Sequence, residues 1–156
     1  MATAQRGSID LKDAPSAKGM RFALVVSEWN DDITGKLAQG ARATLQALGA
    51  RPNDIDELKV PGSFELVHGS KVAAASLEYD AVIAIGSVIR GETAHFDYVC
   101  SGVAHGIANL NATGEIPVIF CVLTDDHREQ SLARCGGAMG NKGDEAAIAA
   151  IKMGQF

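Results

Sequence analysis

The stretch GSVIRGETAHFDYV, residues 86–99, combines residue types and spacing that suit the binding of an anion. Two glycines separated by four residues precede Glu92 and Thr93, which is the spacing of a P-loop with glutamate in place of the phosphate-binding lysine. A carboxylate at that position repels a triphosphate. The backbone amides of residues 91–94, at a helix N-terminus, and the Thr93 hydroxyl can still hold a single phosphate. We therefore expect a phosphomonoester ligand.

His95 follows this loop directly and begins a predicted helix. An imidazole at the start of a helix, beside the expected anion site, is well placed to accept and return a proton. The other histidines, His68, His105 and His127, lie inside or at the start of other predicted helices, where structural or surface roles are more usual. His95 is thus the candidate proton-transfer residue.

Three further segments carry polar or aromatic residues that can bind a ligand. Trp29, the sole tryptophan, lies among acidic and amide residues in SEWN, residues 27–30, so its ring is a candidate stacking platform rather than a core anchor. Ser63 and Glu65, in VPGSFE, either belong to an ordinary turn or bind hydroxyl groups at a helix N-terminus. Spacing alone places Arg134 on the solvated face of a predicted helix.

The segments that must position these residues alternate between two patterns of apolar residues, one typical of buried strands and one typical of helices. Continuous apolar runs predict four buried strands, and apolar residues at spacings of three and four predict the helices between them. Asp31 or Asp32 is expected to cap the first helix and Gly49 to end it, while RCGGAMGNKG, residues 134–143, is expected to be a turn. The predicted strands are 21–27, 57–60, 81–87 and 117–123, and the predicted helices are 31–48, 64–77, 95–112, 127–134 and 143–153.

Strands that alternate with helices predict right-handed crossovers and a parallel sheet covered on both faces. Ligands of such sheets bind beyond the carboxyl ends of the strands, where the polar segments described above are found. With 156 residues and 47% hydrophobic content, we expect one α/β domain. Residues 1–19 are polar and poorly patterned, which is typical of a flexible arm.

Composition excludes several classes of partner and compartment. A net charge of -5 without any basic run makes nucleic acid an unlikely ligand. Three widely spaced cysteines indicate neither a disulfide framework nor a zinc site, so a metal is not expected and a reducing cytoplasm fits best. No apolar run approaches the roughly 20 residues that span a membrane, and no secretory signal is recognisable.

Five ordered blocks from about Arg21 to the C-terminus resemble the lumazine synthase family. These transferase-type enzymes of riboflavin biosynthesis condense 5-amino-6-(D-ribitylamino)uracil with 3,4-dihydroxy-2-butanone 4-phosphate, and release phosphate and water without metal or organic cofactor. The resemblance implies a flavodoxin-like three-layer sandwich over residues 20–156, preceded by the arm 1–19. The blocks are SEWN, VPGSFEL, GSVIRGETAHFDYV, PVIFCVLTDDHREQSLARCG and GNKGDEAA.

The resemblance also implies the role of each site residue. His95 matches the family's proton-transfer residue, and Lys142 is a further position that approaches the site. A neighbouring subunit contributes Phe120 and Arg134 in the family, so each site is completed across an interface. The pyrimidine and ribityl contacts correspond to Trp29, Ser63, Phe64, Glu65, Ser87, Val88, Ile89 and Phe120, and the phosphate contacts to Glu92, Thr93 and Arg134.

Family members form pentamers that either remain so or close into an icosahedral shell, and the short glycine-rich turn at 134–143 resembles shell-forming members. Riboflavin synthase is the protein partner that the resemblance suggests. Two alternatives remain: a riboflavin-binding or lumazine-binding storage protein with little activity, and a flavodoxin-like module for FMN. His95, Thr93 and Arg134 argue against the first, because a flavin carrier needs neither a proton shuttle nor a phosphate clamp. The combined VPGSFE and EQSLAR blocks argue against the second.

Overall fold

Four parallel strands form the central sheet, in the spatial order β2-β1-β3-β4. The computed structural model describes residues 11–156. The two central strands, β1 and β3, are buried along almost their whole length, because both faces of the sheet are covered. The predicted four-stranded parallel sheet is confirmed, with the strands β1 (Phe22–Ser27), β2 (Ile55–Val60), β3 (Ala81–Ile89) and β4 (Val118–Asp125).

Helices cover both faces of the sheet, as the three-layer prediction requires. Alternate side chains of β1 point to opposite faces. Phe22, Leu24 and Val26 belong to the core shared with the first and last helices, whereas Ala23 and Val25 belong to the core shared with the second and third. The helices are α1 (Asp31–Ala47), α2 (Leu66–Ala75), α3 (His95–Thr113), α4 (Arg128–Arg134) and α5 (Lys142–Gly154), and a short 3₁₀ turn (Pro52–Asp54) precedes β2.

The first helix begins differently from the sequence prediction. Its N-cap is Asn30, in the left-handed conformation (φ 60°, ψ 46°), and Asp31 and Asp32 lie in the first helical turn. The prediction that one of these aspartates caps the helix is therefore wrong. Their carboxylates still favour the helix start, because they lie near the positive end of its dipole. The predicted end is confirmed, since Gly49 follows the C-cap with φ 110°.

The glycine-rich segment 134–143 was expected to be a turn, and it is a small antiparallel hairpin instead. Its strands are β5 (Cys135–Gly137) and β6 (Gly140–Asn141). Gly136 and Gly140 have φ values of 109° and 75°, a backbone region that suits glycine. The segment has no alternating apolar pattern, so period alone did not indicate strands.

The N-terminal segment can be followed only in part. Residues 1–10 of the predicted arm 1–19 lie outside the described residues. Residues 11–19 contact the domain: Ala17 is buried and donates a 2.8 Å backbone hydrogen bond to Leu48 O, and Gln155 Nε2 donates one of 2.7 Å to Ser16 O. This part of the segment therefore joins the end of α1 to the end of α5.

Candidate active site

The carboxyl ends of β1, β2 and β3 open into a cavity of about 650 Å³. This is the edge where parallel sheets bind ligands, because the loops that follow the strands converge there. Most of the predicted site residues meet in it. The predicted residues that line the cavity are Trp29, Ser63, Phe64, Glu65, Val88, Ile89, Thr93 and His95.

The Trp29 side chain is 73% exposed and lines the cavity, so it is not a core anchor. Its loop is fixed at the backbone, since Trp29 N donates to Pro61 O at 3.2 Å. The next residue, Asn30, donates through Nδ2 to Ser87 O at 3.0 Å. The loops after β1 and β2 and the end of β3 are therefore linked, and an exposed indole face is available for stacking.

Two serine hydroxyls beside the cavity lack a hydrogen-bond partner among the described residues, those of Ser63 and Ser87. Both residues are buried, and Ser63 lines the cavity whereas Ser87 does not. Gly86 allows this packing, because a Cβ there would lie 2.7 Å from Ser63 Oγ. A buried polar group without a partner calls for an explanation, and a ligand hydroxyl in the cavity would supply one for Ser63.

The loop 91–94 is exposed and leads into α3, which begins at His95. Thr93 Oγ1 accepts a 3.4 Å hydrogen bond from His95 N, so the hydroxyl lies at the helix start. The exposed His95 ring lines the same cavity. Glu92 is exposed and does not belong to the cavity lining. The arrangement brings a helix N-terminus, which favours anions, next to an imidazole that can transfer protons.

Arg90, the cation nearest to this loop in sequence, is held by two carboxylates. Its Nε donates to Asp126 Oδ1 at 2.7 Å, and its Nη atoms donate to both oxygens of Asp97 at 3.1 and 3.3 Å. The guanidinium carbon lies 4.1 Å from the centroid of the Phe96 ring. The hydrogen bonds to Asp97, and then to Asp126, raise the pKa of Arg90 above its ordinary value.

A second cavity, of about 660 Å³, lies along β4, α4 and α5. Three predicted site residues line it. Phe120 and Arg134 are those that the resemblance places in the site of a neighbouring subunit, and Lys142 is the further residue expected to approach the site. Arg134 Nη1 donates to Gln130 O at 3.0 Å, and Lys142 Nζ donates to Glu145 at 2.6 Å. The candidate residues thus divide into two sets on different parts of the surface.

Within residues 11–156, no group of three or more histidine, cysteine, aspartate or glutamate side chains is arranged to hold a metal ion. Over the same residues, no helix combines the length and the apolar character needed to cross a membrane.

Comparison with known proteins decides the family. The model of the 6,7-dimethyl-8-ribityllumazine synthase family matches residues 19–156. The chain belongs to this family. Lumazine synthases of three bacteria are similar over nearly their whole length: that of Phocaeicola vulgatus is 53% identical over 100% of this chain and 94% of its own, and that of Christiangramia forsetii 56% identical over 94% and 88%. The Parabacteroides distasonis protein is 52% identical over 100% and 99%.

Other residues of this lumazine synthase family member line the first cavity without having been predicted from the sequence: Asn30, Phe96 and Tyr98. Tyr98 is 76% exposed and follows His95 by three residues, a spacing that places two side chains on one helix face. This spacing was a usable signal. Asn30 had a weaker one, its position directly after Trp29 at the end of a strand.

Proposed function

We propose that the chain condenses 5-amino-6-(D-ribitylamino)uracil with 3,4-dihydroxy-2-butanone 4-phosphate to give 6,7-dimethyl-8-ribityllumazine, phosphate and water. The observation that carries this proposal is the composition of the first cavity. It combines an exposed tryptophan ring, a serine with an unpartnered hydroxyl, and a helix N-terminus that begins with histidine. These parts suit an aromatic ring, a polyol chain and a phosphate, which are the three components of the two substrates.

The pyrimidine substrate occupies the part of the cavity between the loops that follow β1 and β2. Trp29 stacks on its ring, and Val88 and Ile89 meet its edge at the end of β3. Ser63 and Glu65 bind ribityl hydroxyls, which also gives the Ser63 hydroxyl a partner. Phe64 packs beside the ribityl chain, and Ser87 belongs with Val88 and Ile89 to the strand end that meets the pyrimidine, although its buried side chain does not line the cavity.

The phosphate substrate binds at the start of α3. Amides 91–94 and the Thr93 hydroxyl hold the phosphate, with Glu92 at the outer side of this loop. The pyrimidine amine attacks the ketone carbon to form a carbinolamine, which loses water to give an imine. His95 transfers the protons that this dehydration and the later elimination of phosphate require; the ribitylamino nitrogen then attacks the remaining carbonyl carbon, and loss of a second water closes the ring. No protein nucleophile takes part, so holding both substrates in register supplies much of the rate enhancement.

A neighbouring subunit completes each site with the residues of the second cavity. Phe120 then packs against the pyrimidine, Arg134 binds the leaving phosphate, and Lys142 approaches the same group. The separation of these residues from the first cavity supports this arrangement. The exposure of α3 supports it as well. Val103 and Ile107 are the buried residues of this helix, whereas Tyr98 is 76% exposed and so is free to contact a neighbouring subunit. An isolated subunit is accordingly inactive.

The assembly that we propose is a pentamer, closed further into an icosahedral shell of pentamers. The shortness of the β5–β6 hairpin supports the shell, as in the family resemblance. Native mass measurement or light scattering tests it, and a particle of five subunits would contradict the shell. We also propose a cytoplasmic location, which the free thiols Cys100, Cys121 and Cys135 support, and riboflavin synthase as the partner that consumes the product.

Product formation tests the proposed reaction. The purified protein is mixed with both substrates, and lumazine fluorescence and released phosphate are followed together. We expect equal amounts of both products, and none when either substrate is omitted. Tight riboflavin binding without product would contradict the proposal and favour a storage protein. Such a protein needs neither His95 nor Thr93 beside its flavin site.

A further inference from the structure

Arg90 connects two loops that the sequence separates widely. It follows β3 directly, and its backbone N donates to Asp125 O, at the end of β4, at 3.0 Å. Its side chain binds Asp126 in the loop after β4 and Asp97 in the first turn of α3. One guanidinium thus joins the end of the sheet, the β4–α4 loop and the start of the helix that carries His95.

The N-cap of α3 is Ala94, which has no side-chain hydrogen-bond acceptor, and the Thr93 hydroxyl accepts only a long 3.4 Å bond from His95 N, so a further anchor helps to fix the start of this helix. The loop 91–94 is exposed throughout. Arg90 fixes the chain just beyond this loop by three interactions. Two are the parallel hydrogen bonds to Asp97, and the third is the stacking on Phe96, next to His95. Bidentate pairing and stacking both restrict orientation, which a single hydrogen bond does not.

The same contacts make Arg90 a poor phosphate ligand, because they use three of its five N–H donors. Nε and both Nη atoms already donate to carboxylates, and Phe96 covers one face of the guanidinium. Gly91, Thr93 and His95 line the cavity, whereas Arg90 does not belong to its lining. One cation also faces two carboxylates, so the cluster attracts no anion by itself. Arg90 acts on the site through the residues that it holds.

We propose that Arg90 is a positioning residue, which fixes the start of α3 so that His95 and the amides of residues 91–94 meet the phosphate substrate in a single arrangement. This inference rests on the proposed function for its kinetic part only. The arrangement itself can be measured without turnover, by hydrogen exchange of the loop.

Arg90→Lys is the informative variant, because lysine keeps the positive charge but loses the bidentate geometry and the planar stacking. We expect kcat/KM for the phosphate substrate to fall roughly tenfold to a hundredfold, the scale of a small misplacement of reacting groups. The KM for the pyrimidine stays unchanged, because Trp29 and Ser63 make none of the contacts that hold Arg90. Amide exchange of a peptide covering residues 91–97 becomes faster. Asp97→Asn, which weakens the same pair from the other side, gives a smaller change in the same direction.

A second variant separates geometry from charge. Removing Arg90 leaves Asp97 and Asp126 unbalanced near an anion site, so Arg90→Ala combines lost positioning with added repulsion. The double variant Arg90→Ala/Asp97→Asn removes part of that repulsion. We expect it to regain part of the affinity for inorganic phosphate but none of the protection of residues 91–97 from exchange.

The control is Arg51→Lys. Arg51 forms the same kind of arginine–aspartate pair, with hydrogen bonds of 2.7 and 3.0 Å to Asp54, in the 3₁₀ turn before β2 at the opposite end of the sheet. It should leave kinetics and loop exchange unchanged. If Arg90→Lys leaves both unchanged, or if it speeds exchange over the whole chain with an equal loss for both substrates, the positioning role is refuted. If the wild-type protein forms no product, the proposed reaction is wrong. Amide exchange of residues 91–97 still shows whether Arg90 fixes the start of α3.

Discussion

The side-chain amide of Asn30 donates a 3.0 Å hydrogen bond to the carbonyl oxygen of Ser87 and so links the loop that carries Trp29 to the end of β3. Asn30 has φ 60°, a left-handed conformation that asparagine tolerates better than most residues. The residue therefore sets the backbone turn after β1 and ties the loop that carries Trp29 to the sheet.

Asn30→Asp tests this link, because aspartate tolerates the same backbone but cannot donate to Ser87 O. We expect lower fluorescence anisotropy of Trp29, the sole tryptophan, and a higher KM for the pyrimidine. Asn30→Ala should in addition lose about 1–2 kcal/mol of stability, because alanine resists the left-handed region. Asn109→Asp, an exposed change on α3, is the control. Unchanged anisotropy in Asn30→Asp would refute the link.

Gly102 determines where the Phe64 ring lies. A Cβ at Gly102 would be 2.6 Å from Phe64 Cε2, so Gly102→Ala forces the ring to move in the cavity. Alanine also raises helix propensity by about 1 kcal/mol. We expect the thermal midpoint to be preserved and the KM for the pyrimidine to rise. Gly35→Ala, whose new Cβ would meet nothing within 4 Å beyond its chain neighbours and the backbone of its own helix, should stabilise α1 and leave kinetics unchanged. Equal kinetics in the two variants would contradict this role of Gly102.

His95 and Arg134 should differ in the size of their contributions. Because much of the catalysis comes from positioning the substrates, His95→Ala should lower kcat by roughly a hundredfold or less and keep measurable turnover. Arg134→Ala should cost more, up to about a thousandfold, because it removes the cation that we propose stabilises the leaving phosphate. His105→Ala on α3 and Arg128→Ala on α4 are the matched controls. Near-normal steady-state kinetics in both site variants would refute these assignments.

Asp144 of α5 accepts, through its carboxyl, a 3.2 Å hydrogen bond from Thr44 Oγ1 of α1, and we expect the stability of this helix pair to depend on pH through Asp144. Burial raises the pKa of Asp144 above its ordinary value of 3.8. Since the folded-state pKa is the higher one, the stabilising contribution is complete below pH 3.8 and is lost as pH rises through the raised value.

Asp144→Asn removes this pH dependence. The difference in free energy of unfolding between the variant and the wild type should therefore move in favour of the variant from about pH 4 to neutrality, as measured by urea titration. Glu115→Gln, at an exposed position after α3, is the control and should show no such trend. A difference that is constant with pH would contradict the assignment.

The sequence predicted the layers of the fold well, because each buried strand and each amphipathic helix carries its own period. β1 and β3 are apolar runs, and α1 repeats apolar residues at three and four, so local pattern was enough. The β5–β6 hairpin and the Asn30 cap were missed. Both depend on left-handed backbone conformations, which the spacing of apolar residues along the sequence does not indicate.

The residues that line the first cavity could be predicted where they lie in the loops that lead from a strand into the next helix, as Trp29, Ser63 and His95 do. The contacts of Arg90 could not be predicted, because one partner, Asp126, lies 36 residues later in the chain and no local spacing indicates that hydrogen bond. Spacing alone also left Arg134 as a surface charge. Only the family resemblance gave it a role, since its proposed substrate is bound by another subunit.

The central claim is that each active site combines the first cavity of one subunit with the second cavity of its neighbour. Co-expression of differently tagged His95→Ala and Arg134→Ala chains, followed by purification through both tags, yields mixed assemblies. Some interfaces in these assemblies pair an intact His95 with an intact Arg134. The account predicts that lumazine formation per subunit exceeds the mean of the two parent variants measured alone. A rate equal to that mean would contradict the shared site.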